Sequence, residues 1–206
     1  MKLKKIACAV ALLGAGSTFI VPASIAATAT GQSAYYVGGS VGQSKYKDIP
    51  QGLKNVDDKD TGYKVYGGYQ INPNWGVEAT YFDLGKFTGN DTVFNGSTVV
   101  PVSASAKVQA WGLAGVFTAP ISNGFSILGK LGLARNELKT NASGLGFKAH
   151  QKESSTGVNF GFGATYDFVP SLAVRAEWER LNKVGDAATT GETNIDFLSA
   201  GIIFKF

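Results

Sequence analysis

From Ala34 to Phe206 the chain repeats one pattern, short stretches rich in Tyr, Phe, Val and Gly in which apolar residues recur at every second position. A period of two places successive side chains on opposite faces of a strand, whereas helical spacing is poor and glycine punctuates nearly every segment. Eight stretches read as strands: Ala34–Ser44, Thr61–Ile71, Trp75–Leu84, Ala104–Ala119, Phe125–Glu137, Ser155–Phe168, Leu172–Leu181 and Asn194–Phe206. Three connections are tight: Asn72–Asn74, Pro120–Gly124 and Val169–Ser171, built from residues whose backbone chemistry favours turns. The other four are long and polar, spanning Lys45–Asp60, Gly89–Val102, Leu138–Ser154 and Asn182–Glu192. Long and short alternate strictly. That order predicts an antiparallel up-and-down meander with every long connection at one end.

The contents of the two faces bear on where such a sheet can live. Leu172, Val174, Ala176 and Trp178 oppose Ala173, Arg175, Glu177 and Glu179; Trp75, Val77, Ala79 and Tyr81 oppose Gly76, Glu78, Thr80 and Phe82. Tyr63, Val65, Gly67 and Tyr69 oppose Lys64, Tyr66, Gly68 and Gln70, and the stretches around Leu131 and Phe162 divide in the same way, with Lys130 on the polar face. A soluble barrel with these apolar faces inside satisfies the alternation as well as a membrane barrel with them outside. Aromatics gathered toward the strand ends match the girdles of a lipid-facing band. The C-terminal stretch adds to this: Phe206, Phe204, Ile202, Ala200 and Leu198 share one face, and a bare aromatic edge in water invites aggregation. The predicted fold is therefore all-β, an eight-stranded antiparallel up-and-down transmembrane β-barrel. The faces of the stretch at Ala104–Ala119 are the least defined, with Trp111, Leu113 and Phe117 assigned outward.

Residues 1–26 read as a cleaved secretory signal peptide and 27–206 as the barrel. Lys2, Lys4 and Lys5 precede an apolar run from Ile6 to Ile20, and Ser24-Ile25-Ala26 offers the small residues of a cleavage site, after Ala26 or Ala27. Removing three of the 19 basic residues leaves 16 against 15 acidic ones, so the charge of the exported chain argues for no nucleic-acid partner. Cys8 leaves with the leader, and no disulfide is expected.

"DTGYKVYGGYQINPNWGVEATYFDLGKF", "KVQAWGLAGVFTAPIS", "LAVRAEWERL" and "FLSAGIIFKF" together resemble the N-terminal transmembrane barrel of the OmpA family, from about Ala34 to Phe206 and in the same order. The resemblance implies residence in the bacterial outer membrane of a Gram-negative cell envelope. It implies contact with outer-membrane lipid and lipopolysaccharide, and a monomer. The last strand resembles the signal read by the barrel assembly machinery, assigned here to Phe206, Phe204 and Ile202. In that family a glutamate and an arginine meet inside the barrel, and Glu78 and Arg175 occupy those positions. Glu177, Lys130 and Lys64 complete the expected lumen charge set. Ser40 and Val116 stand where the family has lysines, Lys64 is an added charge, and the resemblance ends at Phe206 without the family's peptidoglycan-binding domain.

Three functions follow. The first is a structural, non-enzymatic barrel with no cofactor and no metal, whose paired charges fill the bore and leave at most a narrow pore. The second is a lipid A-modifying enzyme, for which His150 near Glu153, Ser154 and Ser155 holds the ingredients of a triad in sequence alone. The third is an adhesin-like surface module using Tyr46, Phe87, Phe94, Leu145 and Phe147 of the long connections. Asp57, Asp58 and Asp60 lack the spacing of a calcium loop and read as an exposed acidic segment.

Overall fold

A computed structural model describes residues 34–47, 56–57, 59–94, 99–144, 147–186 and 191–206. These form β1 (Ala34–Tyr46), β2 (Val56–Asp57), β3 (Lys59–Gln70), β4 (Trp75–Phe94), β5 (Val99–Ser122), β6 (Phe125–Gly144), β7 (Phe147–Val169), β8 (Leu172–Asp186) and β9 (Gly191–Lys205). The two-residue β2 lies beside β4; the other eight strands run β4-β3-β1-β9-β8-β7-β6-β5, and pairing of β5 with β4 closes the cylinder. The expected signal peptide lies outside the described residues.

Closure depends on the two chain ends. β1 and β9 pair antiparallel from Tyr36 opposite Lys205 to Tyr46 opposite Ile195. Beyond the ladder, the Tyr35 N–H donates to the Phe206 carbonyl at 3.0 Å and the Phe206 N–H returns to the Tyr35 carbonyl at 2.9 Å. The terminal strand that looked bare in sequence is thus paired on both edges, with Phe204 and Phe206 turned outward.

Register organises the outer wall into rows. Trp75, Phe117, Gly129 and Phe162 align across β4–β7, and above them come a row with Val77, Leu131 and Phe160 and an aliphatic row of Ala79, Leu113, Leu133 and Val158. Tyr81 and Trp111 then restore aromatic character, their rings 4.9 Å apart. Six residues of tilted strand separate the two aromatic rows, about 15 Å along the barrel axis, and Ile127, Phe125 and Tyr166 continue the apolar wall beyond the Trp75 row toward the roughly 25 Å band of such barrels. Trp111 and Leu113 are 67% and 66% exposed, so the least defined strand faces as expected.

The long connections differ from the sequence expectation. The β4–β5 ladder continues to Phe94 opposite Val99, and β6–β7 continues to Gly144 opposite Phe147. Segments read as loops are therefore largely hairpin. With both faces in water, such a ladder needs no apolar alternation, so its sequence signature disappears while its hydrogen bonding persists.

Inward positions are crowded. A Cβ placed on Gly201 would meet the Gly39 carbonyl oxygen at 2.0 Å and the Ser40 Cα at 2.5 Å, both of them backbone neighbours on β1. Gly201→Val is expected to destabilise closure by about 2 kcal/mol or more and to deplete the compact band of unheated gel samples. Ala200→Val, on the outward face, should retain that band; equal retention by both would count against this closure geometry.

Candidate functional site

Inward alternation brings six ionised side chains to one level of the lumen. Lys64 comes from β3, Glu78 from β4, Lys130 from β6, and Arg175, Glu177 and Glu179 from successive inward positions of β8. All are buried, Lys64, Glu78 and Glu179 at 1% exposure. Three acids face three bases, so the set is neutral.

The geometry interlocks them. Lys130 Nζ lies 2.6 Å from Glu78 Oε1, 3.0 Å from Glu177 Oε1 and 3.1 Å from Glu179 Oε1. Arg175 donates to Glu78 Oε2 at 2.6 Å, and its guanidinium lies 3.9 Å from Glu177. Lys64 bridges Glu177 and Glu179. Glu78 also accepts from the Tyr36 hydroxyl at 2.9 Å and the Thr80 hydroxyl at 3.2 Å. The Tyr66 ring sits beneath three cations, with Arg175 at 4.8 Å, Lys64 at 5.3 Å and Lys130 at 5.7 Å from its centroid. Such contacts matter most where cations are desolvated.

Glycines on β7 make the room. A Cβ at Gly163 would stand 2.7 Å from Glu177 Cγ, and one at Gly161 2.7 Å from Glu179 Cγ. Charge burial on this scale is costly unless every ion is paired and hydrogen-bonded, and these two positions let the β8 carboxylates turn inward without displacing the wall.

Apolar layers lie on either side. Toward the long hairpins, Tyr46, Phe82, Leu84, Val108, Ala110, Ala134, Leu181, Val184, Ile195 and Phe197 form a buried cluster, with the Phe82 and Phe197 rings edge to face at 6.4 Å. Toward the short turns, Tyr36, Tyr66, Ala173 and Ile203 pack together. Below them a cavity of about 250 Å³ opens at the short-turn end and reaches Arg175. Lys205 lines that mouth and pairs with Asp167 at 2.6 Å.

The structure thus places Glu78, Arg175, Glu177, Lys130 and Lys64 in mutual contact. Glu179 was missing from the sequence-derived set, although it follows Glu177 on the same face of its strand. Tyr36 and Tyr66 were missed as ring partners, and their inward parity was the available signal. Phe204, Ile202 and Phe206 stand on the outer surface of the last strand. Tyr46 corrects an expectation: it lies inside the barrel at 6% exposure, its hydroxyl donating to the Leu84 carbonyl at 3.4 Å, because β1 extends two residues beyond its apparent end. The side chains of His150, Phe87, Phe94 and Phe147, and all of Leu145, lie outside the described residues. Ser154 faces out and accepts from Arg135 at 3.5 Å; Ser155 faces the other way and donates to the Lys183 carbonyl at 2.6 Å. Glu153 shares the face of Ser155 and opposes Ser154, so the expected serines are split between the two faces. Among the described residues no cluster of His, Cys, Asp and Glu is arranged to hold a metal.

Residues 30–206 match the OmpA-like transmembrane domain. The chain belongs to that family. Outer membrane protein A of Escherichia coli O157:H7 is 32% identical across the whole of this chain, which spans 55% of that relative. The chain thus covers about half the length of the curated relatives it matches. Among solved structures, Neisserial surface protein A superposes with a TM-score of 0.58 at 16% identity, covering 84% of this chain and 97% of that one. Ail of Yersinia pestis, solved with the heparin analogue sucrose octasulfate, gives 0.53 at 21% identity, covering 85% and 99%. This is an integral protein of the bacterial outer membrane.

Removing one member of the charge set leaves its partners buried and short of counter-charge. Glu78→Gln is expected to lower the unfolding free energy in lipid vesicles by about 3 kcal/mol, read as a lower urea midpoint. Lys130→Met in the Glu78→Gln background should cost at least about 1 kcal/mol less than it does alone. Strict additivity would show that the two groups do not interact.

Proposed function

We propose that this chain is a structural outer-membrane barrel, non-enzymatic and monomeric, whose lumen is closed to solutes. The observation that carries the reading is the stacking of two different seals in one bore. The six-charge layer lies across the lumen at mid-height, and the apolar cluster around Phe82 and Phe197, with Asn136 and Asn159 buried beside it, packs the bore on the long-hairpin side. An eight-stranded barrel is just wide enough to be filled by side chains, and an ion crossing it would have to disrupt the first layer and dehydrate in the second. The cavity at the short-turn end then faces the periplasm, since short turns lie on that side of such barrels, and it ends blindly at Arg175.

Export on residues 1–26 and recognition of Phe206, Phe204 and Ile202 by the barrel assembly machinery complete the proposal. The outward setting of that last aromatic strand supports it. Outer-membrane lipid and lipopolysaccharide would surround the apolar wall. A second role in surface binding draws support from the β4–β5 and β6–β7 hairpins, which carry paired backbone well past the barrel. Lipid A chemistry draws no such support from the described residues, where Ser154 is directed away from Glu153 and the Ser155 hydroxyl is bound to the Lys183 carbonyl.

The two-seal reading makes a specific electrical prediction. In planar bilayers the wild-type chain and Glu78→Gln should both show little or no single-channel conductance, since the apolar layer persists. Glu78→Ala combined with Phe82→Ala and Phe197→Ala should conduct, provided the unheated gel band shows that it folds. Steady conductance from the wild type, or opening by Glu78→Gln alone, would remove the apolar layer from the proposal.

A further inference from the structure

Above the Tyr81–Trp111 row, the outer wall carries an arrangement that sheet energetics disfavours. Lys86 on β4 is directly opposite Lys107 on β5, Lys107 is opposite Lys139 on β6, and Lys139 is opposite Lys152 on β7. Four lysines therefore stand in one register row across four neighbouring strands. All face outward: Val108 and Asn136 beside them are buried in the lumen, and directly opposed residues share a face. Like charges set opposite each other destabilise a sheet, so the row needs a counter-charge.

Among the described residues, carboxylates of the neighbouring row supply part of it. Asp83 pairs with Lys107 at 2.8 Å, while Glu137 pairs with Lys139 at 3.0 Å and Lys152 at 3.1 Å. These two carboxylates pair with three of the four ammonium groups, and the Asp60 carboxylate accepts from the Lys86 backbone N–H at 2.5 Å. Asp83 and Glu137 belong to the row next below, Asp83–Gln109–Glu137–Ser154, and so draw the lysine tips toward the membrane. Arg135, exposed in the Trp111 row, adds a fifth cation at the apolar edge.

Depth and span define the counter-charge. The lysine row lies four residues beyond Trp111, about 10 Å along the barrel axis above the apolar edge, which is headgroup depth in the leaflet on the long-hairpin side. Three interstrand gaps give the row a length of roughly 14 Å, room for two phosphates of one headgroup. We propose that Lys86, Lys107, Lys139 and Lys152, with Arg135 beneath them, bind the phosphorylated headgroup of an outer-leaflet glycolipid of the lipid A type, while its acyl chains lie along the apolar wall below. The site rests on the barrel's placement in the outer membrane and is independent of whether the lumen conducts.

The test is native mass spectrometry of the folded chain in detergent micelles, titrated with lipid A bearing both phosphates. Lys86→Gln, Lys107→Gln, Lys139→Gln and Lys152→Gln together should weaken binding by at least about tenfold, since each lysine near a charged membrane surface is worth on the order of fivefold. The four corresponding arginine replacements should stay within about twofold of the wild type. So should Lys45→Gln with Lys59→Gln, an outward pair elsewhere on the wall. Lipid A stripped of its phosphates should bind the wild type as weakly as intact lipid A binds the glutamine variant. Unheated gel mobility verifies folding of each variant. Undiminished binding by the glutamine variant, an equal loss from Lys45→Gln with Lys59→Gln, or displacement by millimolar inorganic phosphate would overturn the proposal, the last by assigning the row to free anions.

Discussion

Within hydrocarbon no water is present to pair with a backbone N–H or C=O, so a sheet that enters a membrane must have no edge. The β1–β9 ladder meets that requirement here, and most other features follow from it. Eight strands give the circle a bore only a side chain or two wide. Residues pointing inward must therefore pack against each other, and any ion among them must find its partner across the lumen. The neutral cluster of Lys64, Lys130, Arg175, Glu78, Glu177 and Glu179 answers that demand with three charges of each sign. Glycine on β7 is the complement of glutamate on β8, because two long carboxylates on one strand leave no space for a Cβ beside them.

The lumen is layered by chemistry more than by element. Apolar groups toward the long hairpins, charges at mid-height, and tyrosines with a small cavity toward the short turns each draw on several strands. In the proposed function, the apolar layer adds a dehydration barrier that rearrangement of the ion pairs would not remove, and this favours a structural barrel over a pore. The outer wall is layered too, from aromatic row to apolar rows to aromatic row, then carboxylates and finally lysines.

Much of this was legible in the chain. Alternation fixed which residues share a face, and the long–short rhythm of connections fixed the meander and its strand number. Parity put Glu78, Lys64 and Arg175 on one side of their strands before any contact was known. The extent of the strands was not legible, because the ladders beyond the barrel are wet on both faces and leave no apolar period; Tyr46 is a different case, an inward residue of the barrel itself that follows the polar pair Ser44 and Lys45, which hides the strand's continuation. Glu179 shared the face of Arg175 and Glu177 in the sequence, but its contacts with Lys64 and Lys130, like the Phe82–Phe197 contact, depend on the stagger between strands distant in sequence, which no local pattern encodes. The lysine row is the extreme case: Lys86, Lys107, Lys139 and Lys152 look unrelated in sequence and become neighbours only through three registers.

The central claim is that closure turns the apolar faces toward lipid and the ions inward, and tryptophan reports on it directly. Trp75 and Trp111 are outward and more than half exposed on the bare protein. Reconstituted in vesicles of phospholipid brominated on its acyl chains, the folded chain should lose most of its tryptophan fluorescence relative to unbrominated vesicles, while aqueous iodide should quench little. Emission indifferent to brominated chains yet readily quenched by iodide would contradict the orientation on which this account stands.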